Sequence, residues 1–196
     1  MNDSSPLASQ AARIADLINR LGRMSREMQF VDGLNPAQWE ALRYLKRANT
    51  CSRTPGGIAE FLCATKGTVS QTVNALKCKG LIDCRPSEKD KRVQLLDLTP
   101  KGYELLSRDP VQKLEEFAFD LEGEQGTQIV NGLSDLLSSL QGATGAKPFG
   151  VCQTCCRHIT TPEECTDGMV GKCELTGEDL CSDASTRICT NFKKVE

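Results

Sequence analysis

Apolar residues recur at helical spacing through much of the chain. From Ala11 to Phe30, Ile14, Leu17, Ile18, Leu21, Met24 and Met28 repeat at three and four, with Arg13, Arg20, Arg23 and Arg26 elsewhere around the turn, which predicts an amphipathic helix. Asn35 and Pro36 form a helix start, the Asn free to cap and the Pro suited to the first turn, for a helix that buries Trp39, Leu42 and Leu45. Thr54 and Pro55 open another, in which Ile58, Ala59 and Leu62 pack, and a turn at Ala64 to Lys66 leads into a helix with Val69, Val73 and Leu76 on one face. The period then changes. Gly80 stands where a helix ends, and Leu81 and Ile82 begin a strand. The run from Arg85 to Arg92 is too polar for a core, which predicts an exposed hairpin tip before a second strand. Thr99 and Pro100 cap a further helix through Tyr103, Leu105 and Leu106, which Pro110 interrupts. Two strong stripes follow, Val111, Leu114, Phe117, Ala118 and Leu121, then Ile129, Val130, Leu133, Leu136, Leu137 and Leu140. They exceed what one small helical core requires, and the surplus predicts dimerisation helices.

Helix, strand, charged tip, strand and new helix, in that order from Thr65 to Gly102, spell a winged helix-turn-helix. The expected class is mainly α with a small β-wing (α+β). Opposite the Val69, Val73 and Leu76 stripe lie, on or beside the front, Lys66, Thr68, Ser70, Gln71, Thr72 and Asn74. Such uncharged polar groups match base edges in the major groove, and Gln and Asn can read adenine bidentately. The cations Lys89, Lys91 and Arg92 in the tip suit phosphate contact.

The segment from Lys79 to Asp83 (KGLID), followed by Asp90-Lys-Arg92 and then Leu98-Thr-Pro-Lys-Gly102, resembles the MarR family of dimeric bacterial transcriptional regulators over roughly the first three-quarters of the chain. The resemblance implies a homodimer on double-stranded, pseudo-palindromic operator DNA, with one recognition helix per subunit in the major groove and a wing beside it. It also implies that Asp90 stabilises the wing and that the first helix packs partly across the dimer.

Charge supports this locally, not globally. The chain of 196 residues has a net charge of −2, yet residues 62–102 hold eight Lys or Arg against four Asp or Glu, and residues 103–145 hold two against eight. A basic patch confined to the proposed DNA-reading segment is the footprint expected of a nucleic-acid binder. No apolar run is long enough to span a bilayer and no leader-like pattern opens the chain, so the expectation is a cytoplasmic protein without a membrane partner.

After Gly145 the character changes. Gln141 to Pro148 is small and polar, a linker by composition, which divides the chain into residues 1–145, with the wing at 81–98, and a module at 146–196. That module holds seven of the eleven cysteines: Cys152, Cys155, Cys156, Cys165, Cys173, Cys181 and Cys189. So short a tail with few large apolar residues needs staples or a metal centre, and thiols in a cytosolic regulator are kept reduced, which favours metal. Cys152 and Cys155 form a CxxC knuckle, and Cys173 and Cys189 complete a four-thiolate set. With the Leu-x-Gly turn after Cys173 and the aromatic Phe192 after Cys189, the module resembles small high-potential-iron-protein-like cluster domains. That resemblance implies an iron-sulfur cluster, [4Fe-4S], on Cys152, Cys155, Cys173 and Cys189. Cys156, Cys165 and Cys181 depart from the pattern and are possible substitutes, as is His158, the only histidine, in a Cys3His zinc site. Four thiolates also suit structural zinc.

The functional expectation is a non-enzymatic DNA-binding transcriptional regulator whose cluster senses redox, oxygen or iron state, with the tail, attached directly behind the dimer helices, altering the spacing of the two recognition helices. The alternatives are the same reader answering a small organic ligand, with structural zinc, and a CxxC thiol oxidoreductase, for which no βαβ pattern speaks. Of the remaining cysteines, Cys63 is read as a small buried hydrophobe. Cys51, Cys78 and Cys84 lack ligand spacing and rank below the tail as a sensing element.

Overall fold

A computed structural model describes residues 9–88, 90–121, 123–160 and 169–195. Its first half is assembled by one repeated device, an Asn, Ser or Thr side chain that accepts a hydrogen bond from an otherwise orphaned N–H in the first turn of a helix. Ser9 caps α1 (Gln10–Glu27). Asn35 caps α2 (Pro36–Arg47) in a reciprocal box, the Gln38 N–H reaching Asn35 Oδ1 at 3.0 Å and the Asn35 N–H reaching Gln38 Oε1 at 3.3 Å. A single 3-10 turn at Thr50–Ser52 separates α2 from α3 (Pro55–Phe61), capped by Thr54. Thr65 caps α4 (Lys66–Cys78), and Gly80, at φ +68°, turns the chain out of it. β1 (Ile82–Pro86) and β2 (Gln94–Leu98) pair antiparallel, from Ile82 opposite Leu98 to Pro86 opposite Gln94. Thr99 then caps α5 (Pro100–Leu106).

These elements enclose one core. Trp39, Leu42, Tyr44 and Leu45 of α2 meet Ile58 of α3, Val69, Val73 and Leu76 of α4, Ile82 and Leu96 of the hairpin, and Leu106 of α5. In contrast, α1, α6 (Gln112–Phe119) and α7 (Glu124–Thr144) bury no residue within the chain. Their apolar faces stand open: Leu17 and Leu21 on α1, Phe117 on α6, and Val130, Leu133 and Leu137 on α7 are all exposed. The stripes are where the periodicity placed them, but among the described residues of a single copy nothing buries them.

The C-terminal segment consists of β3 (Gly150–Val151), β4 (His158–Ile159), β5 (Met169–Cys173), β6 (Asp179–Cys181), a short helix α8 (Ser182–Ser185) and β7 (Ile188–Cys189). β3 pairs with β7, and β5 lies between β4 and β6. Two sequence expectations change here. Helix α7 runs through Gln141–Thr144, which composition read as linker, because Gly142 alone does not outweigh continuation of the preceding turns and Gly145 provides the left-handed terminus at φ +68°. The tail also does not hang behind the long helices. It returns to the winged helix: Ile188 is buried in the common core, Phe149 packs edge-on to Phe61 at 5.1 Å, and Lys147 Nζ pairs with Glu60 at 2.8 Å.

A third expectation fails at Cys63, which is exposed with φ +50° in the turn after α3 and is not a buried hydrophobe. The reversal from α3 into α4 requires a left-handed residue, and Cys63 occupies that position outside the helix.

The join between tail and winged helix is tight at Gly57. A methyl group there would collide with the Ser52 carbonyl and the Tyr44 hydroxyl and press on Thr190 Cγ2 at 3.1 Å, whereas one at Gly56 would meet only Thr54 Oγ1 at 3.7 Å. Gly57→Ala is therefore expected to lower stability by about 1–3 kcal/mol, and Gly56→Ala to leave it nearly unchanged, as read by urea unfolding.

Candidate nucleic-acid interface and thiol cavity

Helix α4 and the β1–β2 tip form one polar surface. Lys66, Thr68, Ser70, Gln71 and Asn74 are exposed on α4, opposite buried Val69, Val73 and Leu76. Thr72 is not among them. It is buried, because at three residues after Val69 and four before Leu76 it falls on the core stripe, so the front-face assignment for Thr72 is corrected. Thr68 is oriented by the cap, its Oγ1 lying 2.9 Å from Thr65 Oγ1.

In the hairpin tip, Lys91 and Arg92 are exposed, while Lys89 lies outside the described residues. Asp90 organises the turn. It accepts from the Arg92 N–H at 3.0 Å and from the guanidinium at 3.1 Å and 3.0 Å, while its carbonyl takes the Val93 N–H at 2.9 Å. The Arg92 hydrogen bonds, side chain first and backbone second, hold the Asp90 carboxyl below the usual carboxylate range. Arg92 remains 90% exposed, so its outer N–H groups face solvent. Deeper in the hairpin, Asp97 bridges Arg53 at 3.2 Å and Arg85 at 2.8 Å. Partial burial opposes its ionisation, but the hydrogen bonds from Arg85 and Arg53 outweigh that and pull its carboxyl down.

The second site is a cavity of about 500 Å³ at the junction of the tail and the α2–α3 loop. Cys152, Cys155, Cys173 and Cys189 all line it. Three local devices place them. Cys152 and Cys155 lie at the two ends of a 3-10 turn closed by the Cys155 N–H to the Cys152 carbonyl at 3.1 Å. Cys173 ends β5, where its N–H and carbonyl bind Glu178 and Gly177, both at 2.9 Å, across the turn that Gly177 makes at φ +68°. Cys189 is buried in β7. Among the described residues, no three His, Cys, Asp or Glu side chains come close enough together to hold one metal ion, so the thiols surround a space and do not converge on a point.

His158 lines the same cavity with its Nε2 buried and without a hydrogen-bond partner, its ring against Gly171. Cys156 and Cys181 are exposed and lie off the cavity wall, Cys181 serving as cap to α8 through the Ala184 N–H at 3.5 Å. Cys165 lies outside the described residues.

A fifth thiol lines this cavity, and sequence reasoning missed it. Cys51, from the loop before α3, donates a hydrogen bond to Asn49 Oδ1 at 3.2 Å and faces the same cavity as Cys189. The interaction with Cys51 is the main reason the Cys189 thiol is pulled down. Burial opposes the shift, and Asn49, the Asn191 backbone and Ser52 assist it. Cys51 is pushed up by the same contact and then by burial. Cys152 is pushed up to about 11, by burial and then by the neighbouring sulfurs of Cys189, Cys173 and Cys155. No spacing rule could have included Cys51, since it lies in another part of the chain and only the docking of β7 brings it here.

The α2–α3–α4 and β1–β2 arrangement is a winged helix. Residues 32–93, from before α2 to the hairpin tip, match the model of the MarR family. Solved structures share the wider fold. The S. aureus MepR–DNA complex is 23% identical, with 64% of this chain and 96% of that chain covered and a TM-score of 0.56. A MarR transcriptional regulator from Methanosarcina mazei is 22% identical, over 67% and 98%, with a TM-score of 0.57. CouR from Rhodococcus jostii, solved with p-coumaroyl-CoA, is 20% identical, over 67% and 95%, with a TM-score of 0.55. No curated protein matches the chain.

The lowered Asp97 pKa carries a stability consequence of definite sign. A depressed folded pKa stabilises above the unfolded value, near 3.9, and the contribution disappears as pH falls through the folded value. Asp97→Asn should therefore be less stable than the parent at neutral pH, and the gap should close in strong acid, as followed by denaturant midpoints across pH.

Proposed function

We propose that this chain is a homodimeric, DNA-binding transcriptional regulator, not an enzyme, whose C-terminal thiol cavity holds an iron-sulfur cluster that governs operator binding. The observation that carries the reading is the convergence of Cys152, Cys155, Cys173 and Cys189 on one cavity whose far wall belongs to the loop in front of α3. Support for the DNA-reading part comes from the MarR family match over residues 32–93 and from the fold shared with MepR, a protein solved on DNA. The open apolar faces of α1, α6 and α7 support a second copy as the dimer partner. Among the described residues no helix is long and apolar enough to cross a membrane.

In this reading Gln71, Asn74 and Ser70 of α4 face base edges in the major groove, with Lys66 and Thr68 at the helix entry toward the phosphates. Lys91 and Arg92, with Lys89 beside them in sequence, take the adjacent backbone, and Asp90 fixes the guanidinium of Arg92 so that fewer rotamers are lost on binding.

The donor set and the space fit a cluster. Four sulfurs around a cavity of about 500 Å³ suit a polynuclear group such as [4Fe-4S], and a single tetrahedral zinc would need those sulfurs drawn within about 4 Å of one another. Cys152, Cys155, Cys173 and Cys189 would hold the cluster, which supplies one-electron redox chemistry and sensitivity to oxygen. Zinc is the second reading for this site.

The route to DNA runs through the docking loop. The Asn49 N–H donates to the Ile188 carbonyl at 2.9 Å and the Thr190 N–H to Ser52 Oγ at 2.9 Å, on either side of Cys189. Ser52 leads into the Thr54 cap of α3, and the Arg53 carbonyl accepts the Leu96 N–H of β2 at 2.7 Å. A change in how β7 is held therefore bears on both the helix that carries α4 and the strand that carries the wing. Half-sites lie about 34 Å apart, so small displacements of α4 alter affinity.

Protein purified without oxygen should be brown, with iron and sulfide in cluster proportion, and should retard operator-bearing duplexes at low salt. A colourless protein with stoichiometric zinc would replace the cluster reading. Absence of binding to duplex DNA in every metal state would end the regulator reading. Cys173→Ser should remove the visible absorption while sedimentation still reports a dimer. Arg92→Ala should weaken binding on all sequences and reduce the salt slope by about one, whereas Gln71→Ala should cost about 1–3 kcal/mol at particular base pairs only, both read by fluorescence anisotropy over a salt series.

A further inference from the structure

Cys51 belongs to the winged helix and Cys189 to the tail, yet they are held face to face. Two backbone-anchored contacts bracket them: the Asn49 N–H to the Ile188 carbonyl at 2.9 Å precedes the pair, and the Thr190 N–H to Ser52 Oγ at 2.9 Å follows it. The Ala48–Ile188 bridge and the Ser52–Thr190 hydroxyl contact at 3.2 Å stiffen the same register. Between these clamps Cys51 and Cys189 both line one cavity, rimmed by the exposed residues Glu178 and Asp179. Both cysteines are reduced in this structure.

We infer that Cys51 and Cys189 are a disulfide-forming pair, a thiol modification site that ties the tail covalently to the loop in front of α3 when the cavity carries no metal group. The oxidant is a hydroperoxide. One sulfur attacks its O–O bond and becomes a sulfenic acid as the alcohol, or water, leaves. The second sulfur then displaces the hydroxyl from the first, so that an S–S bond forms and water departs with the remaining thiol proton. Two electrons pass from the two thiols to the peroxide. When Cys189 is engaged as a metal ligand, its charge and one lone pair are committed to the metal, its nucleophilicity falls, and Cys51 stays a free thiol. The clamps set the distance and do not depend on which group the cavity binds, so the inference stands apart from the cluster reading.

Proteolysis makes the pair easy to read. Trypsin releases residues 48–53 and residues 188–193, each with a single cysteine. The full-length, metal-free chain is treated with stoichiometric hydrogen peroxide, the remaining thiols are alkylated, and the digest is examined without reduction. The expected result is the two peptides joined, two hydrogen masses below their sum. In Cys51→Ser the joined species should be lost with Cys189 left for other partners, and in Cys189→Ser the Cys51 peptide should be recovered alkylated, with circular dichroism confirming that both variants are folded. Metal-loaded protein should show loss of the joined peptide. If peroxide instead joins Cys189 to Cys152, Cys155 or Cys173 while Cys51 remains alkylatable in the parent chain, or if no cross-link forms, the inference is overturned. Iron and sulfide analysis of the same preparation reports separately on the cluster, so the two ideas can fail independently.

Discussion

The parallel seating of residues 188–190 on residues 48–52 is the constraint on which the rest depends. It places Ile188 in the core beside α2, supplies partners to the Asn49 N–H and to Ser52, and positions Cys189 on the inner wall of the cavity. Ser52 is fully buried, and its carbonyl takes the Tyr44 hydroxyl at 2.7 Å while its Oγ takes the Thr190 N–H. A buried hydroxyl without these partners would cost about 1–3 kcal/mol, so the loop and the tail are satisfied together or not at all. The small C-terminal sheets hold little apolar surface of their own, and this shared seam is what gives the tail a core.

That seam also links the thiol cavity to α3, which leads into α4, and to the wing. The loop it occupies is continuous with the cap of α3 and, through the Arg53 carbonyl and the Arg53–Asp97 pair, with the strand that leads to the wing. Backbone hydrogen bonds and a partly buried ion pair transmit displacement better than a flexible tether would, because a packed interior moves between discrete arrangements. Placement of the tail against the α2–α3 loop thus shortens the path that a position behind α7 would have required.

How much was legible beforehand differs by element. The helices from Asn35 to Leu106 and the hairpin followed from caps, Pro positions and a change of period, since those are signals within a few residues of one another. The four tail cysteines were legible because CxxC, the turn after Cys173 and the aromatic after Cys189 are also local patterns. Thr72 was misplaced because a polar side chain was read as pointing outward when the 3.6 period puts it on the Val69 and Leu76 stripe. Cys63 was misplaced because the length of α3 decides whether that residue lies inside the helix or in the turn beyond it. Cys51 was invisible as a cavity residue because its proximity to Cys189 depends on contacts across 138 residues, as in the Ser52–Thr190 pair.

The residues by themselves determined where helices begin, which faces are apolar, that the wing is cationic and that the tail is rich in cysteine, because each follows from the local chemistry of neighbouring side chains. Tertiary structure alone decided which part of the winged helix the tail would cover, that the four thiols would face a common cavity and that Cys51 would join them. Those outcomes depend on the packing of distant segments, where burial of Ile188 and satisfaction of Ser52 select one docking among the many that the linear pattern would allow.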